Sequence, residues 1–190
     1  MSHRSPEELA AGLDEVARSP VGVGTLELIV RRPAVEQREV VDTAELDLEI
    51  GLVGDNWSTR HPGGKADLDR QLTLINARAV ALVAVDPDRW PLAGDQLYVD
   101  LHLGGVELPA GTRLAIGDTA VIEVTAPPHT GCAKFSARFG VDALRFVNSP
   151  AGRALNLRGI NARVVTPGTI RRGDKVAVPD ASLPVADALT

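Results

Sequence analysis

The chain is cut into short runs in which apolar and polar residues alternate, and glycine or proline ends nearly every run. Period-two alternation over a few residues is the mark of a strand with one buried face. Residues 24–31 form the first such run, ended by Pro33, and residues 38–46 a second whose charges mark an edge strand. Leu46, Leu48 and Ile50 alternate with Asp47 and Glu49, which carries the strand pattern up to a turn at residues 51–55. Further runs lie at residues 71–75, 95–103, 113–116, 120–124, 162–165 and 175–178. The last two are bridged by residues 166–174. Many short strands, frequent glycine turns and few helices predict a mostly β fold, a closed or nearly closed barrel with a few peripheral helices. A doubly wound α/β fold fits less well, because strands and helices do not alternate regularly. No internal repeat is present.

Three helices are expected around this framework. Ser5 as N-cap, Pro6 at the first helical position and Glu8 closing a capping box open the first, with Leu9, Leu13 and Val16 on one face and Ser19-Pro20 as its end. Residues 76–85 and 137–147 give the others, the latter stopped by Ser149-Pro150. The chain therefore divides into an appended helix at residues 1–20, one domain at 21–178 and a patternless tail at 179–190. A length of 190 residues suits a single domain with its own core. With three Phe, two Trp and one Tyr, that core must be built from Val, Leu, Ile and Ala.

A net charge of −5 argues against a nucleic-acid surface, since polyanion binding wants a basic face. No apolar run approaches the roughly 18 residues of a membrane span, and the charged N-terminus has no signal-peptide core. A single cysteine rules out an intramolecular disulfide and suits a reducing cytoplasm. The expectation is a cytoplasmic protein with neither nucleic-acid nor membrane partner.

The one cysteine, Cys132, sits in Thr-Ala-Pro-Pro-His-Thr-Gly-Cys-Ala-Lys, between a strand and a helix. His129 precedes it by three positions and Lys134 follows by two. A thiol among cations at such a junction has its pKa drawn toward neutrality, whereas a packed cysteine is an inert small hydrophobe. Three kinds of chemistry fit the residues. His129 and Cys132 are two metal ligands, but structural zinc wants four, and only His3, His61 and His102 remain. A thiol–imidazole pair would serve acyl transfer. A single thiolate would ligate a metal carried by a cofactor, provided that cations hold the cofactor's anionic groups.

Cations are present in loops. Arg60, His61, Lys65, Lys134, Arg138, Arg153, Arg158, Arg171 and Arg172 all lie near glycines or turns. The glycine-rich loop at residues 56–67 has the length and composition of a binding loop, though a plain solvated connection looks the same.

The order of motifs resembles a known family. Gly51-Leu52-Val53-Gly54-Asp55, Gln71-Leu72-Thr73-Leu74-Ile75, Gly94-Asp95-Gln96-Leu97 and Leu114-Ala115-Ile116-Gly117-Asp118 occur in sequence. Ile122-Glu123-Val124-Thr125 with the downstream Gly-Cys follows, then Arg158-Gly159-Ile160-Asn161-Ala162-Arg163-Val164-Val165 and residues 168–174. Together they resemble the MOSC domain, named for the C-terminal domain of molybdenum-cofactor sulfurases, over residues 21–178.

The resemblance implies a barrel-like domain whose cysteine, here Cys132, carries sulfur or ligates the molybdenum of the pterin cofactor (molybdopterin). Some relatives reduce N-hydroxylated compounds, which would make the chain an oxidoreductase fed by an external reductase. The alternative is a non-catalytic carrier of a cysteine persulfide, loaded by a cysteine desulfurase and serving a partner. On this reading Lys134, Arg138, Arg158 and Arg60 hold the cofactor, while Asp55 and His61 line the mouth for a small-molecule substrate beside His129. Two departures stand out: Gly131-Cys132 replaces the usual Pro-Cys, and Asp95-Gln96 replaces the Glu-Asn of the Gly-Glu-Asn-Leu motif. A pyridoxal-phosphate label would be inherited from longer relatives, because no lysine-centred motif for that cofactor is present.

Overall fold

The computed structural model describes residues 3–60 and 66–179. Seven strands close into a barrel: β1 (Val23–Arg31), β6 (Leu97–Asp100), β5 (Leu72–Asn76), β9 (Ile160–Thr166), β8 (Ala120–Val124), β7 (Arg113–Ile116) and β11 (Lys175–Ala177), which pairs back onto β1. β2 (Glu39–Val41) extends the sheet beyond β1. A small sheet of β10 (Gly168–Arg171), β3 (Thr43–Asp47) and β4 (Gly51–Leu52) lies beside it. All barrel pairings are antiparallel except β5–β6, whose connection contains helix α3 (Ala77–Ala84), as a parallel pair requires a crossover. The barrel read from the alternating runs is the observed architecture.

Two apolar clusters follow from the strand pleat. Leu26, Ile29, Leu72, Leu74, Leu97, Val99, Leu114, Ile122 and Ala162 fill the barrel. Val30, Ile75 and Tyr98 point outward and meet the helices. Strands β1, β5 and β6 are thus apolar on both faces, as expected where helices cover the outside. A bulge in β1 between Leu26 and Leu28 shifts its register on β6, so Leu26 and Ile29 share the interior although three positions apart.

The outer layer consists of α1 (Pro6–Ala11), α2 (Leu13–Ala17), α3, α4 (Ala133–Phe139), α5 (Val141–Val147) and α6 (Pro150–Ala154). Leu9 of α1 and Val16 of α2 are buried in this layer, with α1 against α5 and α2 against α3. The expected first helix is two, parted at Gly12, but its capping box is present: Ser5 Oγ accepts from Glu8 N–H and Glu8 accepts from Ser5 N–H. Among the described residues, no helix is long and apolar enough to cross a membrane.

Several boundaries differ from the expected ones for local reasons. Asp47 Oδ1 accepts from the N–H groups of Glu49 and Ile50, so β3 turns there and Leu48 and Ile50 are exposed. The chain then pairs back as β4, and residues 168–171, read as a bridge, pair with β3. The helix expected at 137–147 starts earlier, directly after Cys132, and breaks at Gly140, whose φ is +94°. Ser149-Pro150 does not stop a helix but opens α6, Ser149 Oγ accepting from Gly152 N–H. Of the expected tail, residues 180–190 lie outside the described residues.

Gly159, entering β9, has φ of +105°, and a β-carbon there would stand 2.1 Å from the Leu74 carbonyl oxygen of β5. Gly159→Ala is therefore expected to cost about 2–4 kcal/mol, because strained backbone and steric overlap act together. Urea denaturation measures this, and an unchanged midpoint would contradict the β5–β9 packing described.

Candidate functional site

A cavity of about 430 Å³ opens where β1, the loop after it, the 125–132 loop and α4 converge. Cys132 lines it and its thiol is exposed, which removes the packed-hydrophobe reading. Cys132 is also the extended residue immediately before α4, with φ −125° and ψ 178°.

The loop carrying Cys132 is fastened at both ends. Asn161 Nδ2 donates to the Pro127 carbonyl, and Thr125 N–H donates to the Asn161 carbonyl. At the other end Asn148 clasps the Gly131 backbone, its Oδ1 accepting from Gly131 N–H at 3.0 Å and its Nδ2 donating to the Gly131 carbonyl at 3.2 Å. A β-carbon at Gly131 would lie 2.8 Å from Leu144 Cδ1 and 3.0 Å from Val147 Cγ2. A side chain at this position would require Leu144 and Val147 of α5 to shift. The clasp, in turn, supplies the restraint that a proline would otherwise give.

Among the described residues, seven cationic side chains line the cavity: Arg32, Arg38, Arg60, Arg70, Lys134, Arg138 and Arg158. Arg32 is held by Asp55, which accepts from Arg32 Nε and Nη2 at 2.8 Å each and from the backbone N–H groups of Arg32 and Trp57. Arg158 donates to Asp95 Oδ2 at 2.7 Å and to the Ala93 carbonyl, and its guanidinium lies 5.1 Å over the Phe135 ring. Glu36 bridges Lys134 at 3.0 Å and Arg138 at 2.7 Å, and Arg70 pairs with Asp67 at 3.3 Å. Four carboxylates thus answer seven cations, leaving three positive charges at the cavity among the described residues.

Those charges feel one another. Arg38 is pushed below the usual arginine range by burial and by the nearby Arg138 and Arg32. Arg60 is pushed the same way by burial and by Arg32. Glu36 is held below the usual carboxylate range by its bonds to Lys134 and Arg138. Like charges gathered in this way call for an anion.

His129 forms part of the wall, with 15% of its side chain exposed. Burial, and then the Arg158 charge, lower its pKa to about 4, while Asp95 opposes them.

Of the residues expected at the site, Cys132, His129, Lys134, Arg138, Arg158 and Arg60 all line this one cavity. Asp55 does not. Its side chain is fully buried beneath Arg32 and its oxygens are taken up there, so it braces the wall instead of lining the mouth. His61 and Lys65 lie outside the described residues, and Arg153, Arg171 and Arg172 do not line the cavity. Sequence reasoning passed over Arg32, Arg38, Arg70, Glu36, Asn148 and the role of Asp95. The two Gly-Asp pairs, Gly54-Asp55 and Gly94-Asp95, were the available signal, because each supplies the buried carboxylate that fixes one arginine.

Two measurements check this geometry. Removing the Asp55 carboxylate (Asp55→Ala) leaves Arg32 buried without its counter-charge and is expected to cost about 3–5 kcal/mol in denaturant unfolding. For His129, the unfolded chain takes up a proton as pH falls below about 6.5, whereas the folded chain does so only near 4. Folded stability is therefore complete above 6.5 and is lost toward 4 by about 3 kcal/mol from this group. His129→Gln should flatten the stability–pH curve in that window, and an unaltered curve would contradict the burial described.

The family model for the MOSC domain matches residues 58–177, more than half of the chain. No curated protein matches the sequence. Among solved structures, the chain is similar to YuaD from Bacillus subtilis, with 17% identity and a TM-score of 0.59 over 81% of this chain and 94% of that one. It is also similar to YiiM from Escherichia coli, with 20% identity and a TM-score of 0.54 over 82% of this chain and 70% of that one. YiiM from Geobacillus stearothermophilus aligns with 13% identity and a TM-score of 0.51, over 84% and 74% respectively. At these identities the likeness shows the fold, and the family match carries the assignment. The chain belongs to the MOSC domain family.

Proposed function

We propose that this chain binds molybdenum cofactor in the cationic cavity, with Cys132 as the single protein ligand to the metal. One observation carries the reading: the only cysteine is exposed in a cavity that has, among the described residues, three uncompensated positive charges, inside a protein of net charge −5. Among the described residues, no three His, Cys, Asp or Glu side chains cluster to hold a bare metal ion. A single thiolate beside cations suits a metal that arrives already coordinated by an anionic organic group.

Arg38 and Arg60 would hold the anionic groups of the cofactor, since no carboxylate among the described residues engages either one. Lys134 and Arg138 share Glu36, and Lys134, exposed and spending one of its three N–H groups on it, can meet a ligand as well. Arg158, fixed by Asp95, Ala93 and Phe135, contributes charge from behind the wall. When bound, the cofactor supplies a metal that exchanges oxygen as its oxidation state changes. On this reading a small oxygen-bearing substrate, such as an N-hydroxylated compound, is reduced with electrons from an external reductase. The exposure of Cys132 favours a second reading, a persulfide carrier loaded by a cysteine desulfurase, because a partner protein can reach the thiol.

The test is molybdenum and pterin content per chain after purification from cells that make the cofactor. Near-equal molar amounts are expected in the wild type. Cys132→Ser should lose molybdenum, and Arg38→Ala combined with Arg60→Ala should lose both. Equal contents in wild type and Cys132→Ser would sink the ligation. A stable gain of one sulfur in intact mass after exposure to a cysteine desulfurase, with no bound molybdenum, would establish the carrier instead. Glu36→Gln, which removes the resident carboxylate, should raise the affinity for inorganic phosphate several-fold by calorimetry, and no change would place the anion site away from Lys134 and Arg138.

A further inference from the structure

His129 and Asp95 face each other through two atoms that have no hydrogen-bond partner. His129 Nδ1 and Asp95 Oδ1 are both sealed from solvent and unbonded, and they stand 3.7 Å apart. Buried polar atoms in folded proteins are nearly always bonded, so an adjacent donor–acceptor pair left open at this distance is a bond waiting on a small closure. Asp95 cannot turn away, because Oδ2 is held by Arg158 at 2.7 Å, and Arg158 is itself held by the Ala93 carbonyl and stacked on Phe135. His129 is restrained too, since Asn161 fixes the carbonyl of Pro127 two residues before it.

We propose that Asp95 is a positioning residue that holds His129 as the neutral Nδ1–H tautomer, so that Nε2 faces the cavity as a hydrogen-bond acceptor. The other neutral tautomer would set the Nδ1 lone pair against the Asp95 carboxylate, acceptor against acceptor. The doubly protonated form is opposed by burial and by the Arg158 charge. His129 lines both the main cavity and a second, adjoining cavity of about 190 Å³.

The consequence is one of selection. Guanidinium and ammonium groups only donate, so seven cations give a wall of donors. An accepting Nε2 in that wall asks for a ligand that is anionic and also carries an N–H or O–H group at the edge near His129. A second histidine proton there would instead repeat the donors already present. The selection rests on the proposed binding site for its ligand, but the tautomer is a property of the protein alone.

The test is nitrogen-15 NMR of the full chain labelled at its four histidines, without ligand and at neutral pH, with the His129 signal assigned by its loss in His129→Gln. The Nδ1–H form is expected to dominate in the wild type by about tenfold or more, as a hydrogen bond to a charged group implies. Asp95→Asn, whose amide can donate to Nδ1, should invert the ratio, and Asp95→Glu should keep the wild-type form. A wild-type His129 that is doubly protonated or in the Nε2–H form overturns the proposal. So does a folded Asp95→Asn protein with an unchanged ratio. Should Asp95→Asn fail to fold, the wild-type signal and Asp95→Glu decide alone. Because this readout involves no cofactor, its failure leaves the molybdenum measurement standing, and the reverse holds too.

Discussion

Two buried carboxylates hold the functional wall in place. Asp55 and Asp95 have no exposed side-chain surface, and each fixes one arginine at the cavity, Arg32 and Arg158 respectively. Neither pair is a simple source of stability, because removing two charges from water costs several kcal/mol that their attraction only partly returns. What the pairs provide is position. They pin two guanidiniums at the cavity wall, and one of them, Arg32, faces the repelling charges of Arg38 and Arg60. The barrel packing offsets that repulsion before any ligand arrives, so the cavity is organised in advance for an anion.

Glu36 is the one carboxylate among the described residues that lines the cavity itself. It lies on the loop between β1 and β2 in the left-handed backbone region, with φ of 62°, an uncommon conformation for a glutamate. From that position it reaches across the mouth to both Lys134 and Arg138. The carboxylate is well exposed, so the two bonds are weak by ordinary standards for surface pairs. An exposed carboxylate at the mouth of a cationic cavity lessens the repulsion between Lys134 and Arg138 without competing strongly with a ligand.

The barrel was legible because alternation is a local property. β8 reads correctly residue by residue, with Ala120, Ile122 and Val124 buried and Val121 and Glu123 only partly so. Legibility failed where one residue altered the pleat or the direction of the chain. The β1 bulge places Leu26 and Ile29 together, a parity that no alternating template yields. Asp47 turns the chain within what reads as a continuing strand. Ser149-Pro150 carries the same start signal as Ser5-Pro6, yet beside an apparent helix it reads as an end. The site was legible in part for the same reason. Cys132, His129, Lys134 and Arg138 lie within ten positions of one another, so their meeting needed little folding. Arg32, Arg38 and Arg158 come from other strands and loops, and only the closed barrel brings them to the same cavity.

Gly131 marks the limit of reading a residue type without its surroundings. In sequence, a glycine before the functional thiol, in place of the family's proline, looks like a loss of stiffness. In the fold, the same glycine lets Leu144 and Val147 of α5 pack close to the backbone, and Asn148 of the following turn binds both its N–H and its carbonyl. A proline at 131 has no N–H for Asn148 to accept from, and its ring would enter the space held by Leu144 and Val147. A ring can stiffen the chain from within, or a neighbouring helix can clamp it from outside, and a ring here would cost the Gly131 N–H bond to Asn148. This chain uses the clamp, and so the rigidity of the cysteine loop depends on α5 and Asn148 as much as on the loop itself.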